Sequence, residues 1–354
     1  MKPYQLGMYA FVHFLVDFCC ASLMFQILYG KTDWYFYILL YNFCAFAMQM
    51  PIGLIADAVN RNHLVAAVGC FLVVLALGMG TFPMAATVVA GTGNALFHIG
   101  GGIEVLNVSE KKSSWLGIFI SPGAFGVYFG KILGKMGVLW IWLLMIALFM
   151  GGAAIFILGG GVRHTSGNLP AAFPEHISGS MIISIVCLFS VVVLRSFTGM
   201  AQQFPWSSRL AWGICLTCAV VFGKTAGGFA ADRLGSVKAS VVSLSLAGIC
   251  YLLSGHGFWG MTAVFLFNMT MPVTLWAIAK IFPGCKGFSF GMLTFALFLG
   301  FLPAYMKNGI FLDEKGLALM AFVSLGLLSA GLFCAGLQAA GRIKPLRTHA
   351  ERRK

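Results

Sequence analysis

Charge is what this sequence has least of. Only 9% of its 354 residues are Asp, Glu, Lys or Arg, and just 10 are acidic, whereas roughly a quarter of a water-soluble domain is charged. With 60% hydrophobic residues and a mean hydropathy of +0.92, the chain reads as an integral membrane protein. It also lacks a nucleotide-binding glycine loop, a nucleophile elbow and any Cys/His cluster at metal-ligand spacing. ATP-driven transport and enzymatic chemistry therefore find no support, and no cofactor or metal is expected. The ten cysteines lie in apolar stretches without paired spacing, and Cys19 and Cys20, being adjacent, point apart on a helix. All ten read as small apolar packing residues. No stretch is polar enough to form a soluble domain. No cleavable signal peptide is expected, because Leu6 to Tyr29 is too long for a signal core and lacks a small-residue cleavage site.

What is present is a series of long apolar runs. Crossing about 30 Å of hydrocarbon takes about 20 apolar residues, and twelve runs qualify. In the first half they lie near Leu6 to Tyr29, Trp34 to Ala56, His63 to Phe82, Met84 to Leu106, Trp115 to Leu133 and Val138 to Gly160. In the second they lie near Met181 to Gln203, Leu210 to Ala231, Val237 to Ser254, Phe258 to Phe282, Gly287 to Tyr305 and Leu317 to Ala340. Alternating the loops puts Lys2, Arg61, Lys111, Lys112, Arg163, Arg233, Lys238, Lys280, Lys286 and the tail on one side. The other side holds only Lys31, Lys131, Lys135, Arg209, Lys307 and Lys315. The positive-inside rule then makes both termini cytoplasmic. The net charge of +13 is a topology signal and implies no nucleic-acid partner. The organisation expected is an all-α membrane protein: a six-helix bundle at 1–165, a cytoplasmic linker at 166–178, a second six-helix bundle at 179–341, and a basic tail at 342–354 suited to anionic lipid.

Two stretches repeat one pattern. Gly53-Leu-Ile-Ala-Asp57-Ala-Val-Asn-Arg61 and Gly228-Phe-Ala-Ala-Asp232-Arg233-Leu-Gly235 each end a span and keep a glycine four residues before an aspartate, with Asp57 and Asp232 separated by 175 positions. The chain thus reads as two copies of one membrane unit. Each glycine permits close contact with a neighbouring helix. Each aspartate is expected to cap the helix that follows it and to pair with Arg61, Arg233 or Lys238, forming a charged latch.

This signature, its copy and the twelve-span layout resemble the major facilitator superfamily over essentially the whole chain. The superfamily's pattern is glycine, three residues, aspartate, a basic residue, any residue, glycine and two basic residues. The first copy here has Ala58, Asn60 and Asn62 where basic, glycine and basic residues stand, and keeps Arg61. The second keeps Arg233 and Gly235 but continues with Ser236 and Val237. Within the superfamily, three pieces resemble the fosmidomycin-resistance-like group: His13-Phe-Leu-Val-Asp17, Phe97-His98, and Arg195-Ser196-Phe197. In that group the fourth-span histidine is followed by proline and an acid; here Ile99 and Gly100 follow.

Charges inside the spans indicate mechanism. A charge at the bilayer centre costs about 2.5 to 3.5 kcal/mol, so it faces the interior or a water-filled path. Asp17 lies near the middle of the first span with His13 four residues before it on the same face, and this pair is read as the proton-coupling site. Asn94 and His98 precede three successive glycines, Gly100 to Gly102, which should soften the helix at midplane where transporters place substrate groups. Glu104 is expected to pair with Lys111 or Lys112, and Lys131 to snorkel. Arg195 and Lys224 lie deep in the seventh and eighth spans. Together with His98 and Asn94 they offer a cationic lining suited to a small organic anion. Asn42, Gln49 and Asn268 could add neutral hydrogen bonds.

The function expected is secondary transport: a monomer of the bacterial inner membrane that exports a small amphiphilic or anionic compound by alternating access, coupled to protons. The alternatives are proton-coupled uptake of an organic acid or sugar-like metabolite, and a non-transporting membrane sensor or scaffold.

Overall fold

A computed structural model describes residues 1–109, 112–159, 173–174, 176–305 and 310–337. Lys111, Arg163, Lys307, most of the linker and the 342–354 tail lie outside them. The described residues form twelve apolar helices: α1 Pro3–Ile27, α2 Trp34–Val59, α3 Asn62–Leu77, α4 Pro83–Val108, α5 Ser114–Met136, α6 Ile141–Gly159, α7 Gly179–Ala201, α8 Leu210–Leu234, α9 Ser236–Leu252, α10 Gly257–Ile281, α11 Lys286–Phe301 and α12 Glu314–Cys334. Every expected span is there, with ends moved by a few residues.

Glycine sets how closely these helices pack. Within the first half, Gly69 and Gly93 bring α3 and α4 into backbone contact, and Gly126 and Gly130 do the same for α5 against α1. In the second half Gly223 and Gly227 seat α8 against Phe265 and Met269 of α10, and Gly300 seats α11 against Val193 of α7. Large apolar side chains such as Phe11, Phe36, Ile146, Phe149, Ile157, Val186 and Phe222 point outward. That arrangement is stable only with lipid around it.

Gly100, Gly101 and Gly102 correct one expectation. They do not soften the helix: α4 runs unbroken from Pro83 to Val108. Side chains on these three residues would strike Ala66 of α3, Phe119 of α5 and Phe290 of α11 respectively, so the glycines let α4 pack tightly on three sides. The irregular backbone lies elsewhere. α1 ends in a π-turn at Leu23–Ile27 and α2 carries another at Phe43–Ala47. α5 breaks at Ser121 before Pro122, and α10 breaks between Asn268 and Met271 before Pro272. Proline lacks the amide that an uninterrupted helix needs, which accounts for the last two.

The halves, α1–α6 and α7–α12, meet mainly along α2 with α11 and α5 with α8. At the end carrying Asp57 and Asp232, backbone meets backbone. Toward the other end the contacts are aromatic edges, Phe43 on Phe298 and Phe46 on Phe301, and a 3.3 Å hydrogen bond from Tyr128 Oη to the Leu210 carbonyl.

Candidate functional site

The repeated aspartates do not cap the helices that follow them, nor do they pair with Arg61 or Arg233, which are exposed and form no ion pair among the described residues. Each crosses to the opposite half. Asp57 accepts from the amides of Gly287 and Phe288 at 2.8 and 2.9 Å, at the start of α11. Asp232 accepts from the amides of Ser113 and Ser114 at 2.6 and 3.2 Å, at the start of α5. A helix N-terminus has unsatisfied amides and a partial positive charge, so a carboxylate from the other half suits it as well as one from its own chain neighbour. The glycines complete each clasp: a side chain on Gly53 would strike the Gly287 carbonyl, and one on Gly228 would strike Ser113 and Ser114. Buried Lys286 adds a 3.0 Å hydrogen bond to Asn107 across the same seam.

Deeper in, α1 and α4 bring together His13, Asp17, Asn94 and His98. His13 Nε2 and His98 Nε2 are 2.8 Å apart. Asp17 Oδ2 lies 3.3 Å from His13 Nε2, and Asp17 Oδ1 lies 3.7 Å from His98 Nε2. Asn94 Nδ2 donates to Asp17 Oδ1 at 2.9 Å. Each ring is fixed through its other nitrogen: His13 Nδ1 donates to the Phe119 carbonyl at 2.7 Å and His98 Nδ1 to the Asn94 carbonyl at 2.9 Å. A carbonyl only accepts, so both Nδ1 atoms carry protons. The two Nε2 atoms of neutral rings then face each other with lone pairs. Such a contact is attractive only when a cation lies between them, and Asp17 supplies the balancing negative charge. α5 lies directly against this cluster, and a side chain on Gly123 would collide with Asp17 and His13.

Arg195 of α7 is 7% exposed and reaches only Thr274 Oγ1, at 3.4 Å, with no carboxylate beside it among the described residues. It lines a cavity of about 30 Å³ together with Ile120, Thr274, Phe290 and Thr294. Ile120 follows Phe119, the residue whose carbonyl holds His13, so the same stretch of α5 touches both the cavity and the histidine pair. Lys224 of α8 is half-buried, has no hydrogen-bond or ion-pair partner among the described residues, and feels the charges of both Arg195 and Asp17. Two cations thus face the centre from the second half, and one carboxylate with two imidazoles faces it from the first.

The structure therefore separates residues that the sequence grouped. His98 and Asn94, expected on the substrate, are turned to Asp17; Arg195 and Lys224 lie across from them. Asn42, Gln49 and Asn268 each donate to a carbonyl four residues back in their own helix. Glu104 is buried close to Tyr9 of α1, and Lys111, one of the two lysines expected beside it, lies outside the described residues. Lys131 is exposed, with its ammonium 5.7 Å from the Phe25 ring centre. Sequence reading missed Thr274, the Phe119 carbonyl and the amide pairs at the starts of α5 and α11. Only the last left a trace, as small residues at both helix starts.

No protein-family profile matches the sequence and no curated protein matches it, but solved structures resemble it along their whole length. The Escherichia coli fucose:proton symporter is 11% identical, with 94% of this chain and 98% of that one covered and a TM-score of 0.67. A human organic anion transporter is 16% identical, with 95% and 98% covered and a TM-score of 0.61. A bacterial homologue of the iron transporter ferroportin, in its outward-facing state, is 14% identical, with 95% and 98% covered and a TM-score of 0.59. At these identities the likeness establishes the fold: the chain has the major facilitator fold, twelve helices in two six-helix repeats.

Proposed function

We propose that the chain is a secondary transporter that moves a small organic anion by rocking its two halves about a central site, with protons as the coupling ion. The observation that carries the anion reading is Arg195, a buried guanidinium with no counter-ion among the described residues, lining a cavity between the halves. Burying a charge is costly unless it is paired, and a bound carboxylate or phosphonate would supply the missing partner. Lys224 adds a second positive charge near enough to interact with Arg195. The likeness of His13 to Asp17, Phe97-His98 and Arg195 to Phe197 to the fosmidomycin-resistance-like group points to such an anion, and so does the fold shared with a human organic anion transporter. In this reading the proton resides on the His13, Asp17 and His98 cluster, held in place by Asn94. The clasp end is cytoplasmic, the membrane is the bacterial inner membrane, and the direction is export. Uptake is the second reading, favoured by the fold shared with a fucose:proton symporter. It uses the same residues with the opposite direction of net flux.

The decisive variant is Arg195→Lys. A planar guanidinium holds a carboxylate or phosphonate with two parallel hydrogen bonds, which a single ammonium cannot. In purified protein the substitution should weaken anion binding at least tenfold, read by ligand-induced thermal stabilisation, while melting without ligand stays near that of the parent. Unchanged anion affinity in Arg195→Lys would remove the anion site. Flux measured in proteoliposomes under an imposed pH gradient separates export from uptake and excludes a sensor or scaffold.

A further inference from the structure

We propose that His13, His98 and Asp17 also bind a divalent transition-metal ion of the zinc, cobalt or iron(II) class, in competition with the proton that the proposed function places there. Four observations lead there. First, the donors converge: three ligating side chains, one atom each, lie within 4.8 Å of one another. The two Nε2 atoms are 2.8 Å apart, and each lies near a different oxygen of Asp17, His13 Nε2 3.3 Å from Oδ2 and His98 Nε2 3.7 Å from Oδ1, close to the spacing of about 3.0 to 3.4 Å between donors that share one ion at about 2.1 Å. Second, both rings are fixed in the tautomer a metal needs, because each Nδ1 donates to a carbonyl and leaves Nε2 free to ligate. Metal-bound histidines characteristically have this outer shell, and Asn94 steadies the carboxylate in the same way. Third, both imidazoles are more than nine-tenths buried, so water is a poor substitute for the cation their facing lone pairs require. Fourth, two imidazole nitrogens and one carboxylate oxygen form a donor set suited to borderline divalent ions.

Three protein ligands leave coordination positions open, unlike the closed four-ligand shell of a structural zinc site. An ion held this way can be taken up and released as the halves move. The Asp17 carboxylate offsets one of its two charges and opposes repulsion from Lys224. The ligands come from two helices and lie 85 residues apart at their widest, between His13 and His98, which is why no spacing in the sequence announced them.

The site can be tested without transport. Full-length protein in detergent, stripped with a chelator, is titrated with Co²⁺ and then with Zn²⁺, reading bound metal and the cobalt visible spectrum. The expected result is one ion per chain, with a cobalt spectrum of nitrogen and oxygen ligation that zinc abolishes. His13→Ala and His98→Ala should each lose the ion. Asn94→Ala should weaken it by about 10- to 100-fold, the usual effect of removing an outer-shell partner. Arg195→Lys should bind metal as the parent does, so that failure of the anion site and failure of the metal site are told apart. Elution volume and melting of the metal-free proteins report whether the variants fold. If the histidine variants do not fold, the parent spectrum decides, because thiolate-to-cobalt charge transfer would place the ion on cysteine and overturn the proposal. Absence of bound metal, or binding that survives His98→Ala, would also overturn it.

Discussion

Among single residues, Asp17 is the acid on which the cluster turns, because it touches both histidines and Asn94. Asp17→Asn removes the negative charge that balances a cation held between the imidazoles. It should abolish pH-driven accumulation while leaving anion exchange at equal pH partly intact; normal uphill transport by this variant would exclude Asp17 from coupling. Gly123→Ala tests the packing around the cluster. The new methyl collides with Asp17 and His13, so a loss of about 1 to 3 kcal/mol is expected from overpacking. Gly199→Ala, whose methyl meets nothing within 4 Å, should be neutral or slightly stabilising. Melting temperatures of the two variants check the contrast. Asp17, His13, His98, Arg195 and Lys224 were all visible in the sequence because charge and imidazole are rare in apolar spans. Their grouping was not visible. Which side of α4 faces α1 depends on glycine contacts with three other helices, and no period in the sequence reports that.

At the level of elements, the two clasps are where sequence and structure diverge most usefully. The motif pointed each aspartate at the helix that follows it, whereas Asp57 and Asp232 accept from helix starts 230 and 119 residues away in the chain. The same motif explains a departure from the superfamily's pattern. The connection from α8 to α9 turns at Gly235 with φ of +86°, and the matching connection from α2 to α3 turns at Asn60 with φ of +53°. Asparagine is among the few other residues that adopt left-handed backbone readily, so Asn60 supplies a positive φ here too, with ψ of 36° where Gly235 has 148°. Removing a carboxylate cap costs about 0.5 to 2 kcal/mol. Asp57→Ala and Asp232→Ala should therefore each shift the protein away from the clasped state, by up to roughly thirtyfold. Increased alkylation of a cysteine placed at Ser114 would report it, and unchanged labelling would mean that the glycine contacts alone hold the seam.

For the whole molecule, the pseudo-symmetry makes the closure reciprocal: the first half caps a helix of the second, and the second caps a helix of the first. A rigid-body rotation must break both clasps together. In a background with the native cysteines replaced, Lys112→Cys with Arg233→Cys should crosslink beside the Asp232 clasp, stop transport, and release it on reduction. Transport that continues through the crosslinked protein would rule out rocking of the halves. The repeat and the span count were legible from hydropathy and the 175-residue offset. The state of the molecule was not, since one sequence must serve every state.

The clasps also connect this protein to its solvent. Each joins a carboxylate to two backbone amides, and when the halves part those four amides and two carboxylates must find other partners. Lipid offers none, so the seam can open only as water enters it. Lower water activity should then hold the protein shut, with sucrose or trehalose in the clasp-side compartment slowing turnover even when gradient and substrate are unchanged.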